Sequence, residues 1–279
     1  MTVLVFGASS QIGRYLLPLL AARGEPVVAV SRSARTSTNE VTWLAGRLPD
    51  AVPVVEDISA IFSFGPLHAF ASWLNRAELP HAPRVVVTSS MSAQSKRDSE
   101  VPAERDLSQR LRDGETAVAD ACATHGSEWT VLRPTLIYGA GLDKSLTPIA
   151  RRAMRTRIFP LPAGRGMRQP VHAQDLAYAA LAALDIAASA GKILPIGGGE
   201  RLPVRDMFAR VRQSLPVDTV LVPVPGWLLH VARRTAGPLR GPLSRLETDL
   251  VADNTEVARI LGIEPRPFRP DADCWQPLT

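Results

Sequence analysis

Apolar positions in the first half of the chain fall into short runs separated by stretches with helical periodicity, the alternation expected of parallel βαβ units. Val3–Phe6, Pro26–Val30, Val41–Leu44, Ala60–Phe64, Arg84–Ser90 and Trp129–Pro134 read as six strands. The Val-rich fifth run suits a strand buried on both faces. Between the first two runs, Ile12, Leu16, Leu19 and Leu20 share one face of a helix predicted over Gln11–Arg23. Pro18 lies inside it and removes one backbone bond. A long amphipathic pattern predicts a further helix over Asp106–His125.

After Gly141 the texture changes: Arg, Pro and Gly become frequent, and the alternation survives only in a helix expected near Asp175–Ala190 and a strand near Lys192. The fold class predicted is α/β, a Rossmann-like doubly wound parallel sheet with a smaller C-terminal substrate lobe. Residues 1–141 are the expected nucleotide-binding core. Residues 142–279 are mostly substrate lobe, with 169–198 returning to the core. No internal repeat is present.

Composition changes this picture little. Of 279 residues, 46% are hydrophobic and 21% charged, with a formal net charge of +5, which describes a globular chain rather than a disordered one. The basic balance suits an anionic ligand, but acidic residues are interleaved and no run of like charge forms a nucleic-acid arm. The basic cluster Arg151–Arg157, with Arg165 and Arg168 beyond it, reads as a solvated helix face. Two cysteines, Cys122 and Cys274, stand far apart without metal-ligand spacing, and no metal is expected. The run TVLVPVPGWLLHVA is shorter than the ~20 residues that span a bilayer, and no signal peptide is read, so a cytoplasmic setting is expected. The bend at Pro225–Gly226 followed by WLLHVARR is an apolar-then-basic stretch that suits a membrane surface or a partner, or a helix packing on the substrate lobe.

The chemistry begins at GASSQIG, between the first strand and the first helix. Helix N-termini offer unpaired N–H groups and a positive dipole end to phosphate. Gly7 permits the tight turn, Gly13 lets helix and strand approach, and Ser10 stands where a third glycine is usual, its hydroxyl able to donate to phosphate. With Ser9, Gln11 and Ile12 these are the first cofactor-binding candidates. The second strand ends in Ser31 and Arg32, where an Asp or Glu would select NAD; Arg32 suits a 2′-phosphate, so NADP is favoured.

Together with VVVTSS, LRPTLIYGAG, RQPVHAQDLA and ILPIGGGERLPVRDM, this loop resembles the extended short-chain dehydrogenase/reductases, which include nucleotide-sugar epimerases and dehydratases. The resemblance covers nearly the whole chain. It implies that the catalytic serine falls on Ser90, which as a strand-end serine could equally cap the following turn, and adds Phe64, Ser89 and Pro134 to the cofactor-binding set. It also implies that Arg168 contacts a diphosphate and that the substrate is an anionic small molecule such as a nucleotide sugar. A homodimer is the assembly to test.

The family's Y-x-x-x-K pair is missing. Counted back from Glu115, its positions fall on Leu107 and Leu111, and no tyrosine lies between Tyr15 and Tyr138. Tyr138 is the remaining phenol and the substitute catalytic candidate, although its counterpart lines the pocket. Lys144 and Asp143 follow the YGAG turn, where they could face the substrate but more simply belong to a solvated loop; Lys144 is the substrate-binding candidate. His172 reads as a core residue and Asp175 as a helix N-cap or first-turn acid. Two functions remain open: an atypical NADP-dependent oxidoreductase or isomerase, and a non-catalytic NADP-sensing or scaffold protein. A third, weaker reading is a fold that has lost its cofactor.

Overall fold

The computed structural model describes residues 1–224 and 246–276. The stretch from Pro225 through WLLHVARR lies outside them. Seven strands form one parallel sheet: β1 (Thr2–Phe6), β2 (Val27–Ser31), β3 (Val41–Ala45), β4 (Ile58–Ser63), β5 (Arg84–Thr88), β6 (Trp129–Pro134) and β11 (Lys192–Ile196). Their order is β11-β6-β5-β4-β1-β2-β3. The chain winds outward on one side of β1 and then returns to build the other side from β4. A cleft therefore opens at the strand ends between β1 and β4, the usual ligand crevice of such sheets.

Both faces are covered, as the Val-rich strands require. On one side α1 (Gln11–Ala22) packs with α6 (Ala173–Asp185) and α8 (Thr255–Leu261), burying Leu16, Leu20, Leu176, Ala180 and Ile260 against the sheet. On the other, α2 (Leu67–Leu74) and α4 (Pro102–His125) bury Phe70, Leu74, Val118 and Cys122. Gly114 of α4 sits where a Cβ would lie 2.8 Å from Leu67 Cβ, so the two helices touch almost at the backbone.

Several boundaries differ from the sequence pattern. α4 begins at Pro102 rather than Asp106, because a proline at the first turn has its φ preset and gives up no needed N–H. α6 runs from Ala173 and stops at Asp185, and Ala187–Ser189 form only a 3₁₀ turn. α1 continues through the exposed Pro18.

The second half holds more regular structure than its texture suggested. β7 (Ile137–Tyr138), α5 (Thr147–Thr156), β8 (Ile158–Pro162), β9 (Met167–Arg168) and β10 (Val171–His172) precede α6. After β11 come β12 (Leu202–Pro203), α7 (Val204–Gln213) and β13 (Val220–Val224). A third apolar core joins α5, β8 and α7 around Phe159, Phe208, Phe268 and Trp275. The segment returning to the sheet includes α6 and β11, and α8 is a second return. Among the described residues no helix is long and apolar enough to cross a membrane.

Candidate functional site

At the first turn Gly7 has φ +74°, a left-handed value open to glycine, and a Cβ there would lie 3.2 Å from the Phe64 backbone. Ser10 N–H donates to Gly7 O at 2.8 Å and closes the turn. Ser10 then serves as the N-cap of α1, its Oγ accepting from Gly13 N–H at 3.2 Å. Because Oγ is the acceptor in that bond, its own O–H remains oriented for donation. A serine in place of the middle glycine thus does structural work at the mouth of the helix.

This turn forms one wall of a cavity of about 1000 Å³. Gly7, Ser9, Ser10, Gln11 and Ile12 border it, as do Ser31 and Arg32 at the end of β2 and Phe64 and Ser89 beyond β4 and β5. Two sequence candidates are not on its wall. Gly13 lies behind the loop, where a Cβ would fall 2.4 Å from Ala8 O, so its part is to bring helix and strand together. Pro134 ends β6, with its carbonyl accepting from Met91 N–H at 2.9 Å.

Three buried polar atoms at this end of the sheet have no hydrogen-bond partner: Gln11 Oε1 and Ser89 Oγ on the cavity wall, and Ser63 Oγ at the end of β4. Buried polar atoms are normally paired, and unpaired ones cost free energy. Together with the open helix N-terminus they fit a polar, phosphate-bearing ligand such as a nicotinamide dinucleotide. The rim adds a second cation that the sequence pattern did not reveal: Arg47 borders the same cavity as Arg32, and both are exposed. Gly46 N–H, bonded to Ser31 O at 2.8 Å, anchors the coil that carries Arg47 beside β2.

A second cavity of about 890 Å³ continues from the first, with Gln11, Ile137 and Lys144 bordering both. Ser90, Thr135 and Arg168 are on its wall. Ser90 Oγ accepts from Ser92 N–H at 3.1 Å and caps the turn after β5. The guanidinium of Arg168 is 5% exposed and donates through one nitrogen to the carbonyls of Met167 and Thr248, both at 2.7 Å. Leu111 borders the first cavity, presenting hydrocarbon from the face of α4 that looks toward the cleft.

Tyr138 is not brought to the site. It is 1% exposed, borders neither cavity and packs edge-on against His172 and Phe268, with ring centroids 5.1 and 4.8 Å away. Burial raises its pKa well above the usual phenol value. Successive strand residues point to opposite sides, so Ile137 takes the cleft side and Tyr138 the core. Asp143 departs from expectation too: it is 7% exposed, and its Oδ1 accepts from the N–H groups of Ser145, Leu146 and Thr147, capping α5. That clamp fixes the turn from which Lys144 projects.

His172 caps α6 through Nδ1, which accepts from Gln174 N–H at 3.2 Å. Burial first, and then the Arg266 guanidinium, push its pKa down to about 4, so the ring is neutral. Asp175, in the first turn of α6, accepts from Arg266 N–H and Nε at 2.9 Å each. Tyr15 O–H donates to Gly139 O at 2.6 Å and links α1 to the turn after β7.

The cysteines stand apart from all of this. Both are buried, and burial pushes each thiol up to about 12. Thiolate is the reactive form. Native protein at pH 7.5 is therefore expected to resist iodoacetamide at Cys122 and Cys274, with both alkylated in urea. Rapid labelling of either in the native state, read by intact mass, contradicts this burial.

Residues 7–145 match a family described as NAD(P)H-binding. No curated protein sequence matches the chain. Among solved structures, UDP-glucuronic acid 4-epimerase from Bacillus cereus, in complex with NAD, superposes with a TM-score of 0.72 at 13% identity, covering 99% of this chain and 97% of that one. UDP-glucose 4-epimerase from Thermotoga maritima gives 0.68 at 15%, covering 95% and 94%. An epimerase from Methanothermobacter thermautotrophicus gives 0.70 at 17%, covering 98% and 90%. At these identities the likeness establishes the fold, a Rossmann-like α/β sheet of the epimerase kind.

Proposed function

We propose, from the NAD(P)H-binding match over residues 7–145 and the Rossmann-like fold shared with the epimerases, an NADP-dependent role on an anionic small molecule of the nucleotide-sugar class. The observation that carries the cofactor preference is the rim of the first cavity. No acid stands at the end of β2 to accept from a ribose 2′-hydroxyl; Ser31, Arg32 and Arg47 stand there instead. Two guanidiniums suit a phosphate, for which planar bidentate donors are well shaped.

When bound, the dinucleotide would supply hydride transfer. The chain's own contribution is to hold it. The N-terminus of α1 and the Ser10 hydroxyl would hold the pyrophosphate, Gln11 and Ser89 would offer their unpaired polar atoms, and Arg32 and Arg47 would take a 2′-phosphate. In the second cavity Lys144 is positioned by the Asp143 clamp to meet substrate, and Ser90 O–H can donate to a substrate oxygen. Arg168 contributes positive charge to that wall while its guanidinium remains tied to backbone carbonyls.

Fluorescence titration is expected to give NADPH a Kd lower than that of NADH. Reversing both rim charges in Arg32→Glu/Arg47→Glu should weaken NADPH by about 10- to 100-fold, the scale of one or two charged hydrogen bonds, while leaving NADH within a few-fold. Equal affinity of the wild type for the two forms, or no binding, rejects the cofactor reading.

A second reading, a non-catalytic NADP-sensing or scaffold protein, is favoured by Leu107 and Leu111 at the expected proton-transfer positions and by the burial of Tyr138. It predicts NADPH binding without turnover. Assaying UDP-glucose, UDP-galactose and UDP-glucuronate for epimer formation or dinucleotide reduction separates the two.

A further inference from the structure

Arginine supplies almost all the positive charge of this chain: of 32 lysines and arginines, three are lysines, Lys96, Lys144 and Lys192. Lys96 and Lys144 border the second cavity, while Lys192 is exposed at the start of β11. Arginine would serve any site that needs only a fixed positive charge, but its guanidinium does not release a proton under protein conditions, whereas an ammonium does. Lysine in this cavity therefore points to a group that has to move one.

Lys96 is built into the wall. It follows α3 (Ser92–Ser95), the short helix that leaves Ser90, and is 8% exposed. Its Nζ lies 3.1 Å from Glu104 Oε1, and Glu104, also 8% exposed, accepts from Ser99 Oγ at 2.8 Å through its other oxygen. The carbonyl of Ala93 accepts from Ser108 Oγ at 2.7 Å and Arg112 at 3.0 Å, locking α3 onto α4. A buried ion pair costs desolvation and is weak as a stabilising device. In a cleft, such a pair is a candidate functional group. Glu104 lies on α4 one and two turns before Leu107 and Leu111, and Leu111 reaches the cleft.

We propose that Lys96, positioned by Glu104, is the proton-transferring residue of this cleft, in the role left empty by the leucines at 107 and 111. The inference rests on the dinucleotide-dependent reading above. In the reductive direction the Lys96 Nζ–H bond breaks and an O–H bond forms at the substrate carbonyl oxygen, the bonding pair staying on nitrogen. The two electrons that reduce the carbonyl carbon come as hydride from a reduced nicotinamide dinucleotide, which is oxidised in the same event. The neutral amine regains a proton from water at the cleft mouth, and Glu104 favours its charged form.

Two measurements test this. The first needs no substrate: under competitive acetylation read by peptide mass spectrometry, Glu104→Gln should raise the labelling of Lys96 relative to Lys192 several-fold. An unchanged ratio overturns the positioning role. The second uses whichever of UDP-glucose, UDP-galactose and UDP-glucuronate the wild type turns over. Lys96→Met and Lys96→Arg should both lower kcat by at least ~100-fold, with KM and the Kd for NADPH within about threefold. Retained NADPH affinity also reports that each variant folds. Rescue by arginine shows that only charge is needed and overturns the inference alone. A wild type that binds NADPH but turns over none of the three sugars overturns the enzymatic reading, and the inference with it.

Discussion

Gly13→Val is expected to abolish measurable NADPH binding and to destabilise the protein by about 1–3 kcal/mol, the usual cost of overpacking. A Cβ at this position would lie 2.4 Å from Ala8 O and 2.5 Å from Gly7 O, both backbone atoms of the turn itself. They cannot move aside without opening the Gly7–Ser10 turn and pulling the Ser10 cap away from the Gly13 amide. The loss should appear as a flat fluorescence titration up to millimolar NADPH, with a melting temperature lower by several degrees. If the variant binds NADPH within about threefold of wild type, the helix N-terminus is not the phosphate site.

The second large effect is acid destabilisation through His172. Its pKa in the folded protein is about 4, below the ordinary 6.5. The unfolded chain therefore binds the proton first. The stability this creates is fully present above pH 6.5 and is lost as pH falls from there through 4; about 2.5 pH units corresponds to ~3 kcal/mol. Burial sets it first; Arg266 also disfavours the charged ring, Asp175 and Asp271 favour it, and the rings of Tyr15 and Tyr138 pack tilted and edge-on against it. Urea melts at pH 4.5 and 7.5 should show a steeper loss in wild type than in His172→Gln, which keeps a polar side chain without titrating. Equal pH dependence in the two proteins refutes the assignment. Gly139 presses close, a Cβ there falling 2.2 Å from His172 Nε2, so the glutamine variant should be compared by slope and not by absolute stability.

The sheet was largely legible because each parallel strand buries both faces and so writes a continuous apolar run into the sequence. The glycines of the β1–α1 turn were legible because turn geometry restricts residue type. The cleft's remaining chemistry was less so. Arg47 lies past the end of β3 with no periodicity to mark it, and the Gly46–Ser31 hydrogen bond and the Arg47–Ala51 backbone pair hold it near the end of β2. Tyr138 lies in a two-residue strand, too short for alternation to reveal which side it faces. Asp143 looked like a loop acid because a cap made to three amides downstream has no hydrophobic signature of its own. Lys96 and Glu104 are eight positions apart in sequence and meet only because α3 folds back on α4. Proline- and arginine-rich texture also concealed α5, whose buried face is narrow: Thr147, Ala150 and Ala153.

The order in which the sheet is covered has a consequence for synthesis. The first helix made, α1, is covered by α6, which begins at Ala173. At ribosomal rates of roughly 5–20 residues per second, Ile12, Leu16 and Leu20 wait on the order of ten seconds for their first covering helix. A nascent chain released early would expose that apolar stripe. The N-terminal half thus depends on the second half of the chain for the helix that closes over α1.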